Sequence, residues 1–591
     1  MNKSLRTSRF IISTILLGLI PAGFLACSDV RSLSAAPGEA ATANPAVVSS
    51  ARANDPDVIA RIRQEGLDHS EVMKTLSYLS DVIGPRLTGS PNLKRANEWT
   101  RDQLKAWGLE NAAVEPWGEF GRGWSLKRFS AEVIEPQAIP LIAIPKAWSP
   151  GLDQPIEADV VYLNPQSTTE LESFAGKLEG KIVLMGASRA LQAQFAPPGN
   201  RFTDEALAAM ARGRAGGRGP TTGPTSAPGE LLQAVFGRRG GRGGRGAPTT
   251  NANPLAQGNI QTQIFNFAVR EKAAIVFTPS TNGDGGTMFV QSAAVPSAGR
   301  GRGPSIYSTE APATVPQATI AAEHFNRLVR MIQAGEKVRM AVNLQVQFQT
   351  EDLHAYNTVA EIPGTDLKDE LVMLGGHLDS WHSGTGATDN GAGVAAAMEA
   401  VRIIKALNLK PRRTIRIALW TGEEEGLLGS AGYVREHFGT AQGGRGRGGG
   451  GRGNAPITPA QVEKKPEYDK FSVYFNLDNG TGKIRGVYAQ SNPNVVSLFQ
   501  DWLTPFNDLG ATTVTPNNTT GTDHLSFDAI GLPAFQFIQD QIEYNSRTHH
   551  SNMDVFDRIQ EDDLKQASTI MAAFVYNAAM MDETMPRKTG Q

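Results

Sequence analysis

Apolar runs at 371–376, 414–420 and 471–477 are rich in Val, Ile, Leu and Phe, and each is short enough for a strand buried on both faces. Each run gives way to glycine-rich or polar residues, and helical periodicity appears at 394–407. This alternation predicts an α/β fold around a parallel sheet. Upstream, 70–82 and 93–107 carry helical periodicity and are separated by G-P-R-L-T-G-S-P, whose glycines and prolines break the pattern. Between about 137 and 348 the pattern changes to short strands with turns, as at 158–163, 180–185 and 273–277.

The polar residues at the ends of the apolar runs carry the candidate chemistry. The first run delivers His377 and Asp379, and Asp389 follows in G-A-T-D-N-G-A-G. The second runs into T-G-E-E-E-G with Glu423 and Glu424, the third delivers Asp478, and His549 and His550 stand in T-H-H-S-N-M-D. In open α/β sheets, ligand sites form in the crevice beyond the carboxyl ends of the strands. Two neighbouring divalent ions need a bridging carboxylate, an imidazole and a further carboxylate on each ion, and a water whose pKa they lower. The residues supply that inventory. Imidazole with carboxylate suits zinc, and cobalt or manganese would be tolerated by the same set. A lone Asp after a strand usually caps a helix, and 423–425 alone would serve as an acidic first turn. The ordered set of five motifs outweighs that bland reading.

G-H-L-D-S-W, G-A-T-D-N-G-A-G, T-G-E-E-E-G-L-L-G-S, N-L-D-N-G and H-H-S-N-M-D resemble, in order, the motif series of the co-catalytic zinc aminopeptidase and glutamate carboxypeptidase family. The resemblance is nearest to its plasma glutamate carboxypeptidase branch, and 522–534 also resembles the bacterial leucyl-type aminopeptidases. It implies a three-layer sheet with helices on both faces and an inserted, mainly β protease-associated domain, which G-K-I-V-L and E-K-A-A-I-V-F resemble. It also implies roles. His377 and Asp478 would hold one ion, Glu424 and His550 the other, and Asp389 would bridge them through a turn with a cis peptide to Asn390. Glu423 would be the general base, and Asp379 would accept the second imidazole N–H of His377. His549 falls where the family has an aromatic residue, which makes His550 the ligand. Bland structural or solvated roles fit His382, His524 and Asp554. The cofactors implied are two divalent ions, zinc first, and the substrate a peptide or dipeptide cut at one end. Amino-end cleavage is the leading reading and carboxypeptidase action the alternative. A single-zinc glutaminyl cyclase-like acyl transferase and a non-catalytic receptor-like protein share the resemblance; the complete ligand set favours the peptidase.

With 591 residues, 40% of them hydrophobic, the chain is too long for one core. Its net charge of −2 offers no general attraction to nucleic acid or an anionic membrane. Lys3, Arg6 and Arg9 precede an apolar stretch that ends at Cys27, which reads as a signal peptide over 1–27. Lipoprotein-type cleavage would leave a lipid anchor on Cys27; ordinary cleavage would release the chain to the periplasm or medium. Cys27 is the only cysteine, which excludes internal disulfides and cysteine-ligated zinc. Residues 28–55 read as a flexible tether, 56–136 and 349–591 as the two parts of the peptidase domain, and 137–348 as the insertion. Arg/Gly-rich tracts at 211–248, 298–304 and 442–454 cannot bury a core and are expected to be surface loops.

Overall fold

A computed structural model describes residues 53–213, 254–297, 303–441 and 461–588. The predicted signal peptide, most of the tether and nearly all of the three Arg/Gly-rich tracts lie outside those residues. The peptidase half is built on an eight-stranded sheet. Its spatial order is Glu110–Glu119, His354–Ile362, Arg413–Trp420, Leu367–His377, Phe471–Asn476, Ala534–Gln539, Ile484–Tyr488 and Thr513–Thr515. The four central strands, from Arg413–Trp420 to Ala534–Gln539, run parallel, and antiparallel pairs flank them. Those four are almost wholly buried apart from 367–370 at the start of Leu367–His377, as strands covered on both faces must be.

Helices cover both faces of this sheet. On one side Ala392–Ala406 and Glu561–Met580 pack together, with Pro56–Asp68 and Val72–Ser77 against them, while Pro91–Ala106 lies on the strands Glu110–Glu119 and His354–Ile362. Ala392–Ala406 is apolar around nearly its whole circumference because it is buried between the sheet and other helices. On the other side Leu428–His437 and His524–Asp528, the latter through Phe527, close over Trp420 and Tyr474. The fold is therefore α/β, as the periodicity predicts, with helices on both faces, as the family resemblance implies.

A second eight-stranded sheet belongs to the same compact unit. It joins Gly123–Glu135 and Arg339–Gln349, which pair along almost their entire length, to Ile156–Leu163, Ile182–Met185, Ile275–Pro279 and Gln317–Ile320. Gly123–Glu135 lies upstream of residue 137. Its run of exposed charged positions, including Lys127, Arg128 and Glu132, hides its strand character from a search for buried apolar runs. The region also holds helices Asp204–Ala211, Pro254–Arg270 and Ala322–Gln333, so it is more mixed than the expected mainly β insertion. Among the described residues, no helix is long and apolar enough to cross a membrane.

Candidate active site

Shared register brings the site together. His377 pairs with Trp420, and Gly375 with Asn476, so His377, the T-G-E-E-E-G turn and Asp478 emerge side by side at one edge of the sheet. Asp389 comes from the turn before helix Ala392–Ala406, and its bond to Asn390 is cis, as expected. This turn needs Gly386: its backbone is left-handed at φ 64°, and a Cβ there would lie 2.4 Å from Ser380.

The Asp389 carboxylate faces two imidazoles with different oxygens. Oδ1 lies 3.3 Å from His377 Nε2, and Oδ2 lies 3.3 Å from His550 Nε2. His377 Nε2 is also 3.4 Å from Asp478 Oδ1, and His550 Nε2 is 2.9 Å from Glu424 Oε2. His549 stacks on His550 with ring centroids 3.7 Å apart, and its Nε2 is 3.7 Å from Asp389 Oδ2. Among the described residues, two groupings are tight enough to hold a cation: His377 with Asp389 and Glu424, and Asp389 with His549 and His550. His550 touches both Asp389 and Glu424, whereas His549 reaches only Asp389.

The donor set fits divalent cations. His377 Nε2, Asp389 Oδ2 and Glu424 Oε1 are buried and make no hydrogen bond, an arrangement that costs free energy unless a cation satisfies it. Burial alone would depress His377, but the neighbouring carboxylates of Asp478, Glu423, Asp379 and Asp389 raise its pKa well above the ordinary value. Burial and then the Asp389 charge push Glu424 far up as well. Packed carboxylates that strain to take up protons are a site deficient in positive charge.

Asp379 differs from expectation in how it acts. The His377 Nδ1 partner is the Asp379 main-chain carbonyl, at 3.0 Å, while the carboxylate oxygen is 3.6 Å away. That carboxylate instead accepts the backbone N–H groups of Glu423 and Glu424, at 3.3 and 3.2 Å, and the Thr88 hydroxyl at 3.2 Å. One residue therefore sets both the His377 ring and the glutamate turn. The motif reveals Asp379 but not that division of labour.

Beneath the candidate ligands lies a scaffold that the sequence marks only in part. Arg86 is fully buried and donates to the carbonyls of Leu378 (2.6 Å), Thr385 (2.9 Å) and Gly386 (2.8 Å), fastening the His377 loop to the Asp389 turn. Burial pushes its pKa down to about 10, against the pull of the Asp554, Asp379 and Asp389 carboxylates. Asp554 accepts the N–H groups of Thr388 (2.5 Å) and Asp389 (3.2 Å), so it holds the turn. Arg86→Leu is expected to cost more than about 3 kcal/mol, since the buried carboxylates and carbonyls lose their partner. Arg86→Lys is expected to recover little, because one ammonium cannot span those carbonyls. Urea unfolding checks this; a loss under about 1 kcal/mol would contradict it.

Two further histidines near the site, His382 and His524, are held by hydrogen bonds. His382 Nε2 is 2.7 Å from the Pro145 carbonyl and His524 Nε2 is 2.7 Å from the Gln490 amide; burial lowers both to about 4. Tyr544, in a polar stretch with no motif, lies against Asp389, and burial followed by the Asp389, Asp478 and Glu424 charges raises its pKa far above normal. No local sequence signal marks it.

Residues 357–575, which include every candidate ligand, match Peptidase family M28. That similarity marks 357–575 as a metallopeptidase domain. Carboxypeptidase Q of Bos taurus is 25% identical over 520 residues, covering 87% of this chain and 86% of that protein. The Homo sapiens carboxypeptidase Q is 24% identical over 519 residues, with the same coverage. A probable leucine aminopeptidase 2 of Aspergillus fumigatus is 35% identical over 135 residues, 23% of this chain and 26% of that protein. In fold, the chain resembles the crystal structure of a peptidase M28 precursor from Shewanella amazonensis SB2B. That likeness has a TM-score of 0.59 at 22% identity and covers 90% of this chain and 99% of the other.

Proposed function

We propose that this M28 domain is a two-metal exopeptidase, exported by the signal peptide at 1–27, that removes an amino-terminal residue or splits dipeptides. The observation that supports it most is the Asp389 carboxylate turned toward His377 with one oxygen and toward His550 with the other. His377 and Asp478 would hold one ion, Glu424 and His550 the other, and Asp389 would supply a carboxylate to both. The nitrogen and carboxylate donors make zinc the first choice. When bound, the ions supply Lewis-acid polarisation of the scissile carbonyl and acidify the attacking water. Glu423 accepts a proton from that water at its carboxylate and returns it to the leaving amine. Asp379 keeps the His377 ring and the Glu423 turn in place. The insertion, read as a protease-associated domain over 137–348, frames access to the cleft.

A second reading, cleavage at a free carboxylate, draws on the carboxypeptidase Q relatives, which match most of this chain. One screen separates the two. Aminoacyl anilides and unblocked dipeptides are expected to be cut, and amino-blocked peptides with a free carboxylate are expected to survive. Cleavage of the blocked peptides alone would overturn the amino-end assignment.

A further inference from the structure

The second sheet reaches into the metal centre. Between strands Ile275–Pro279 and Gln317–Ile320 the chain passes through 286–292, outside the M28 match, and lies against the loop that carries His550. Phe289 and Ser551 form an antiparallel bridge, and the Val290 N–H donates to the His550 carbonyl at 3.1 Å. Met288 and Asn552 exchange two hydrogen bonds: the Met288 N–H donates to Asn552 Oδ1 at 2.7 Å, and the Asn552 N–H donates to the Met288 carbonyl at 3.1 Å. Met288 and Val290 are wholly buried with Ala321, and Ala147 takes hold of the Gln291 carbonyl. The segment is thus anchored from behind.

This contact bears on a strained residue. His550 has φ 60°, in the left-handed region that costs a non-glycine residue free energy unless its surroundings impose it. The imposing surroundings are the hydrogen bonds above. The Gln291 amide lies 3.1 Å from His550 Nδ1, the ring nitrogen that faces away from Glu424 and Asp389. An imidazole that presents a free Nε2 to a metal must carry its proton on Nδ1, and that N–H needs an acceptor. The amide nitrogen stands there in the structure, and a half-turn of this exposed side chain exchanges it for Oε1, which would supply that acceptor.

We propose that Gln291 is a positioning residue for the His550 metal site: it accepts the Nδ1–H and so fixes the tautomer and aim of the ring. Affinity for one of the two divalent ions then depends on a side chain outside the motif series. This rests on the reading of His550 as a ligand.

The test is zinc binding to the metal-stripped full chain, in competition with a chromophoric chelator. Gln291→Leu is expected to weaken one of two binding steps by about 10–100-fold and leave the other unchanged, with the melting temperature of the metal-free protein unaltered. Gln291→Glu, whose carboxylate also accepts the N–H, is expected to restore most of the lost affinity. Both steps unchanged in Gln291→Leu would overturn the proposal, as would equal weakening of both with no rescue by Glu. His550→Ala locates the fault. Loss of one step there, with none in Gln291→Leu, rejects the role of Gln291 alone; both steps intact in His550→Ala rejects the ligand assignment and the proposal with it.

Discussion

Glu423→Gln lowers turnover by about 10²–10⁴-fold while bound metal stays at the wild-type level, if Glu423 is the base. The amide keeps the size and hydrogen bonding of the side chain but accepts no proton. Burial, countered by His377 and reinforced by Asp478, Asp523 and Glu424, holds the Glu423 carboxyl well above its ordinary pKa. Its neighbour should behave otherwise. Glu424 Oε2 is 2.9 Å from His550 Nε2, in the ligand cluster, so Glu424→Gln is expected to loosen one ion. Steady-state kinetics and elemental analysis of the two variants decide the matter. Metal lost from Glu423→Gln and kept in Glu424→Gln would exchange the roles; near-normal turnover of Glu423→Gln would reject the proton-transfer mechanism.

Asp389→Ala is expected to empty both metal sites. Both oxygens face ligand imidazoles 3.3 Å away, so truncation takes one anionic donor from each ion at once. It also leaves His377, His549 and His550 without the carboxylate they share. Elemental analysis of the purified variant measures the effect. Two ions at wild-type occupancy would contradict the bridging assignment, and loss of one alone would make Asp389 a ligand of a single ion.

Much of this site was legible because parallel strands place their ends together. The runs at 371–376, 414–420 and 471–477 are recognisable as buried strands, and register then fixes which residues meet at their carboxyl edge. Helix Ala392–Ala406 was visible for a similar reason, being apolar and bounded by glycines and a change of pattern. What was not legible depends on contacts between distant segments. Arg86 acts on carbonyls some three hundred positions away, and Gln291 on a ring 259 positions on, with nothing in the local sequence to mark either. Asp379 was found by its motif, yet its partners are set by how the glutamate turn folds back. Strand Gly123–Glu135 escaped because its exposed charged residues interrupt the apolar alternation, and only pairing with Arg339–Gln349 makes it a strand.

The central claim is a pair of ions bridged by Asp389, and anomalous diffraction at the zinc edge from crystals of the zinc-loaded full chain tests it most directly. The account predicts two peaks, one among His377, Asp478 and Asp389 and one among Glu424, His550 and Asp389. A single peak, or two with Asp389 touching only one of them, would contradict it.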